Sequence, residues 1–148
     1  MKLSGFLPFT LMLLALSLSC NCKKKGTKTP KPEIKSTITE SGFIEPKENA
    51  PFVVKSVKVK GDILTIEVEY SGGCQKHEFD LFFNGIYMKS MPPKAGLILV
   101  HKNNGDNCRE LITETLKFDL TSTRYGDTKD YTIIFSLNNH KEDFEYSY

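Results

Sequence analysis

From Phe52 onward the chain alternates apolar and polar residues with a period of two, and no stretch of ten or more residues carries a helical period. That spacing sends successive side chains to opposite faces of a strand, so this part of the chain is committed to sheets. Val53, Lys55, Val57 and Val59 alternate with Ser56, Lys58 and Lys60, and Leu64, Ile66, Val68 and Tyr70 alternate with Thr65, Glu67 and Glu69. Gly61-Asp62 between the two runs predicts a hairpin. Asn84-Gly85 predicts a second one, joining His77–Phe83 to Ile86–Ser90, with Phe79, Leu81 and Phe83 on a shared face.

Met91-Pro92-Pro93-Lys94 reads as a connection, because adjacent prolines remove ladder donors. Further strands follow at Leu97–His101, around Ile112, Leu116, Phe118 and Leu120, around Tyr131, Ile133, Phe135 and Leu137, and at Phe144–Tyr146, separated by polar loops. Seven or eight short strands with turn signals every eight to fourteen residues predict an all-β fold, an antiparallel β-sandwich of immunoglobulin-like kind over residues 51–148. A small β-barrel is the alternative, since pattern alone does not separate two packed sheets from one curled sheet. Ten Phe and six Tyr are the large core fillers in a chain without Trp.

The N-terminus sets the compartment. A lysine leads into the apolar run Phe6–Leu16, then small Ser17 and Ser19, then Cys20. The run is too short for a span of roughly 20 residues but suits the h-region of a cleaved signal peptide over residues 1–19. A cysteine at the cut predicts lipidation at Cys20, with Cys22 as the alternative and ordinary secretion as the plainer reading. Ser17 stands where bacterial lipoprotein signals usually carry leucine. Residues 20–50 are rich in Lys, Thr, Pro and Glu, with seven lysines against four glutamates from Asn21 to Ala50. Such a segment buries too little apolar area to order itself and is expected to be a disordered tether, whose lysines favour anionic head groups. Ile38–Ile44 is a candidate for an added edge strand. The domain itself is mildly acidic, with twelve Lys/Arg against fourteen Asp/Glu from Pro51 on, which together with export excludes a nucleic-acid binder. The expected partner is therefore the membrane, through the anchor.

Cys74 follows one strand and Cys108 precedes another. In an exported chain such a pair is most simply a disulfide, closing a loop of about 35 residues. The competing reading is a metal site, because Cys74, His77, His101 and Cys108 supply two thiols and two imidazoles suited to zinc or copper. His77 is in phase with Phe79, and His101 with Leu97 and Leu99, so both also read as histidines at the rim of the core. Glu114 shares a face with Ile112 and Leu116 and needs a partner or solvent. Asn104-Gly105-Asp106-Asn107 offers oxygens but lacks calcium-loop spacing, and reads as a turn. Nucleophile elbows, paired acid and base carboxylates and phosphate loops are absent, so no enzyme, catalytic residue or cofactor is expected.

The ordered set Ser71-Gly72-Gly73-Cys74, His77, Phe79-x-Leu81, Leu99-Val100-His101, Cys108 and Ile112–Leu120 resembles small bacterial envelope lipoproteins and, with them, the NigD-like lipoproteins, whose C-terminal part is a β-sandwich. The resemblance covers roughly Val54 to Leu137. It implies a β-sandwich on a lipid anchor and supplies no reaction.

Overall fold

The computed structural model describes residues 32–126 and 130–148. The signal peptide, Cys20, Cys22 and the start of the expected tether lie outside the described residues. Nine strands are present among them: β1 (Ile34–Ser36), β2 (Ile38–Thr39), β3 (Val53–Lys60), β4 (Ile63–Gly72), β5 (Glu78–Met88), β6 (Lys94–Lys102), β7 (Glu110–Asp119), β8 (Thr132–Leu137) and β9 (Phe144–Ser147). They form two sheets, β1-β7-β4-β3 and β2-β5-β6-β8-β9. The sandwich is therefore present and the barrel is not. Its sheets are mixed rather than antiparallel, because β1 runs parallel to β7, β2 to β5 and β6 to β8.

Alternation places the inward side chains as the period requires. Leu64, Ile66 and Val68 of β4, Phe79, Leu81 and Phe83 of β5, Leu97 and Leu99 of β6, Phe118 of β7, Ile133 and Phe135 of β8 and Tyr146 of β9 are essentially inaccessible. Each such side chain contributes about 1.5–3 kcal/mol relative to exposure. In β3 a register shift between Val54 and Ser56 moves the phase. Val54, Val57 and Val59 consequently pack on the core, and Val53, expected inside, is exposed.

Two further expectations are corrected. Asn84-Gly85 does not reverse the chain: β5 runs through it, and Phe83 pairs with Leu97 while Tyr87 pairs with Ala95, so the pair forms a bulge. Gly85 has φ 75°, the Asn84 side chain accepts from Ile86 N–H, and the edge carbonyls of Phe83 and Asn84 accept from Glu40 and Gly42. The reversal comes instead at the Met91–Pro93 connection. The second concerns the expected tether over residues 20–50, in which only Ile38–Ile44 is a candidate for an added edge strand. Residues 34–39 form a strap that pairs first with β7 and then with β5, one strand per sheet. Thr37, between them, is buried and donates through its amide and hydroxyl to Asp119 O, while Lys35 Nζ donates to Phe79 O of the opposite sheet at 2.8 Å. β-Branched Ile34, Thr37, Ile38 and Thr39 suit such pairing, and the Lys-Thr-Glu composition around them concealed it.

Beyond the strap, Phe43 stacks on Phe82 at 3.9 Å, and the chain then reaches the edge of β6. There side-chain amides replace a neighbouring strand: Asn49 Oδ1 accepts from His101 N–H at 2.8 Å, Asn138 Oδ1 accepts from Leu99 N–H at 2.7 Å, and Ala50 N–H donates to His101 O at 3.0 Å.

Candidate functional site

The polar residues of the domain that sequence singled out gather at one end of the sandwich, where β4 ends, β5 begins and β6 ends. β4 delivers Tyr70 and Gly72, the Gly73–Lys76 loop carries Cys74, β5 is preceded by His77, β6 carries His101 one residue before its end, and the following loop supplies Asp106 and Cys108. Alternation aims His77 and His101 inward with Phe79 and Leu99, as their phase predicts.

Cys74 and Cys108 are joined by a disulfide with Cα atoms 5.8 Å apart. Next to it sits Asp106, whose side chain is fully enclosed. Its Oδ2 accepts from the amides of Cys74 (2.8 Å) and Gln75 (2.9 Å), and its Oδ1 from that of Cys108 (2.8 Å). The amides of Gln75 and Cys108 hold this carboxyl well below the usual carboxylate range, with Cys74 and His77 adding to them. His77 Nε2 lies 3.2 Å from Asp106 Oδ2, His77 Nδ1 lies 2.8 Å from His101 Nε2, and His101 Nδ1 lies 3.3 Å from Ala50 O. A continuous polar line thus crosses the end of the core from the disulfide loop to the segment entering β3.

Aromatic rings fix the line sideways. His101 stacks on Phe79 at 4.2 Å and His77 on Tyr70 at 4.6 Å, and Phe52 meets His101 edge-on. Burial, then the charge of His77, pushes the His101 imidazolium down. Tyr70 Oη donates to Glu114 Oε2 at 2.7 Å, which gives this half-buried carboxylate the partner it needed; burial and that bond push the phenol up. Gly72 leaves the space the line requires, because a Cβ there would stand 2.6 Å from His77 Nε2 and 3.2 Å from Asp106 Oδ2.

The arrangement has the order of a proton relay but no reacting atom at its end. His101 terminates on a backbone carbonyl rather than on a hydroxyl or thiol, and both nearby sulfurs are in the disulfide. The four proposed metal ligands do come to one end, but each pair is engaged with itself. The donor atoms of Cys74, Asp106 and Cys108 lie within 4.8 Å of one another, yet two of them share a covalent bond and the third is held by three amides. The metal alternative is not met by this geometry. Asp106, read from sequence as part of a turn, is the hub of the cluster. Asp106-x-Cys108 forms the local Asx contact that such a pair favours, but its bonds to Cys74 and Gln75 span more than thirty residues and left no local signal.

No protein-family model matches the chain, and no curated protein matches it. Among solved structures the fold is similar to a NigD-like immunity protein from Bacteroides caccae, at 16% identity and a TM-score of 0.54 over 76% of this chain. It is also similar to a protein of unknown function from Bacteroides vulgatus, at 20% identity and a TM-score of 0.52 over 79% of this chain. The chain spans 64% of the first protein and 56% of the second. At these identities the likeness is one of fold. The sandwich implied by the resemblance to NigD-like lipoproteins thus has a NigD-like protein among the solved structures that share it.

Proposed function

We propose that the chain is a cell-envelope protein, lipid-anchored at Cys20 on the periplasmic or outer surface, whose β-sandwich is a non-catalytic binding or structural module. The observation that carries the non-catalytic part is the closure of the Asp106–His77–His101 line on Ala50 O. Every polar group in it is spent on holding elements together, which is the signature of a fastener rather than of a site awaiting a substrate. The anchor is supported by the apolar run ending at Ser19-Cys20, and by a compartment in which the Cys74–Cys108 disulfide persists.

The test is fractionation of cells expressing the full chain or its Cys20→Ser variant, with an alkyne fatty acid as metabolic label. The wild type should sediment with membranes and carry label, and the variant should lose both. Identical unlabelled, fully soluble behaviour of the two proteins would overturn the anchor.

A further inference from the structure

We propose that the buried His77–His101 pair is a proton site, holding one proton more than two neutral imidazoles, and that this proton latches residues 49–52 onto the sandwich. The line has an acceptor at each end: the Asp106 carboxylate, already receiving three amides, and the Ala50 carbonyl, which has only lone pairs to offer. Satisfying both ends requires N–H on His77 Nε2 and on His101 Nδ1. The central contact between His77 Nδ1 and His101 Nε2, at 2.8 Å, requires one proton more. Three protons on two rings exceed the neutral complement by one.

The extra charge belongs on His77. That ring adjoins the buried carboxylate of Asp106, so the pair and Asp106 together are neutral, whereas burial and the neighbouring charge keep His101 neutral. His77 then donates to Asp106 and to His101, and His101 donates to Ala50 O. The other groups facing the rings agree with this placement. β4 contributes the Tyr70 ring, β5 the Phe79 ring and β7 the Glu114 carboxylate, whose field also favours a positive charge here, while the entering segment adds the Phe52 ring and backbone carbonyls.

Loss of the shared proton leaves two protons for three contacts. The carboxylate end, being charged, keeps its donor. His101 Nδ1 then turns a lone pair toward Ala50 O, and residues 49–52 lose their side-chain clasp and keep only the bonds of Asn49 and of Ala50 N–H to β6. Uptake of a second proton at low pH fails differently, by setting two N–H groups against each other between the rings. The latch is therefore complete only while the pair holds a single proton.

Linkage gives the sign. Two unfolded imidazoles with the ordinary value of about 6.5 hold one proton between them near pH 6.5, the same number as the folded pair, so the contribution of the pair peaks there. Above it the folded state binds more protons than the unfolded chain, and the folding equilibrium constant falls by up to tenfold per pH unit until the proton leaves. Two neutral rings would instead give a contribution that rises through pH 6.5 and then stays level.

The decisive experiment is histidine ring 15N spectroscopy of the oxidised mature chain at pH 7. Three of the four ring nitrogens of His77 and His101 should be protonated, with His101 Nε2 the bare one; two protonated nitrogens would overturn the proposal. A second readout needs no substitution: between pH 7 and 9, amide protection of Ala50 should fall relative to that of Ile66 in the core. Unchanged relative protection across that range would refute the latch.

Discussion

Gly72→Ala is a one-methyl perturbation with a calculable consequence. Gly72 ends β4 opposite Glu110, and its backbone is not in the left-handed region, so alanine is excluded only by space. The new Cβ would stand 2.6 Å from His77 Nε2 and 2.7 Å from Cε1, where ordinary contact begins near 3.4 Å. The ring would have to retreat by roughly 1 Å, yet it is held by Tyr70 at 4.6 Å on its face and by His101 at 2.8 Å on its edge. Overpacking of this kind costs about 1–3 kcal/mol, and stretching the buried contact between the rings adds about 1–3 kcal/mol. The lower chain entropy of alanine in the unfolded state returns about 0.4–1 kcal/mol. The expected net loss is about 1–5 kcal/mol, measured by urea unfolding of the oxidised protein at pH 6.5. Gly96→Ala is the matched control, since its Cβ would meet only Ser136 Oγ at 3.9 Å, and it should be neutral or stabilising by up to about 1 kcal/mol. Equal midpoints for the two variants would refute the reasoning.

Replacing Cys74 and Cys108 by serine should lower stability by roughly 3.5–4 kcal/mol, the chain-entropy value for a loop of this size, read from unfolding midpoints against the oxidised parent. Asn49→Ala removes the acceptor of His101 N–H and leaves that group of β6 unpaired, while Leu99 O keeps its bond from Asn138 Nδ2; a loss of about 1–3 kcal/mol in the same assay is expected. Asp106 has its folded carboxyl held below the ordinary value, so its contribution is complete above about pH 4 and is lost as the pH falls below that. In acid titrations followed by circular dichroism, Asp106→Asn should be less stable at neutral pH and should lack this part of the acid dependence.

The sandwich was legible because alternation is a local property. Leu64–Tyr70, Phe79–Phe83, Leu97–His101 and Phe118–Leu120 each reveal their inward face without knowledge of their neighbours. Contacts made at a distance were not legible. Asn84-Gly85 has the composition of a hairpin turn, and only the pairing of residues 40–42 against the edge of β5 shows that it serves as a bulge. The strap at Ile34–Thr39 lies in a polar, lysine-rich context, and its strands are too short for a period to emerge. At the site, the phase of His77 and His101 was readable, and so was the motif holding Gly72 and Cys74. The reason for Gly72 was not, since the atom it makes room for belongs to a ring five residues on that is positioned by Asp106 from another loop. Asp106 itself reads as a turn residue until its distant amide donors are seen.

The cysteines, histidines and Asp106 are proposed to form a closed fastener rather than a site for metal or catalysis. Its most direct test is intact-mass spectrometry of envelope-purified protein with and without reductant, paired with elemental analysis of the same sample. The expected result is a mass two hydrogens below that of the reduced chain, with no stoichiometric metal. Free thiols on Cys74 and Cys108 together with one equivalent of zinc or copper would contradict it.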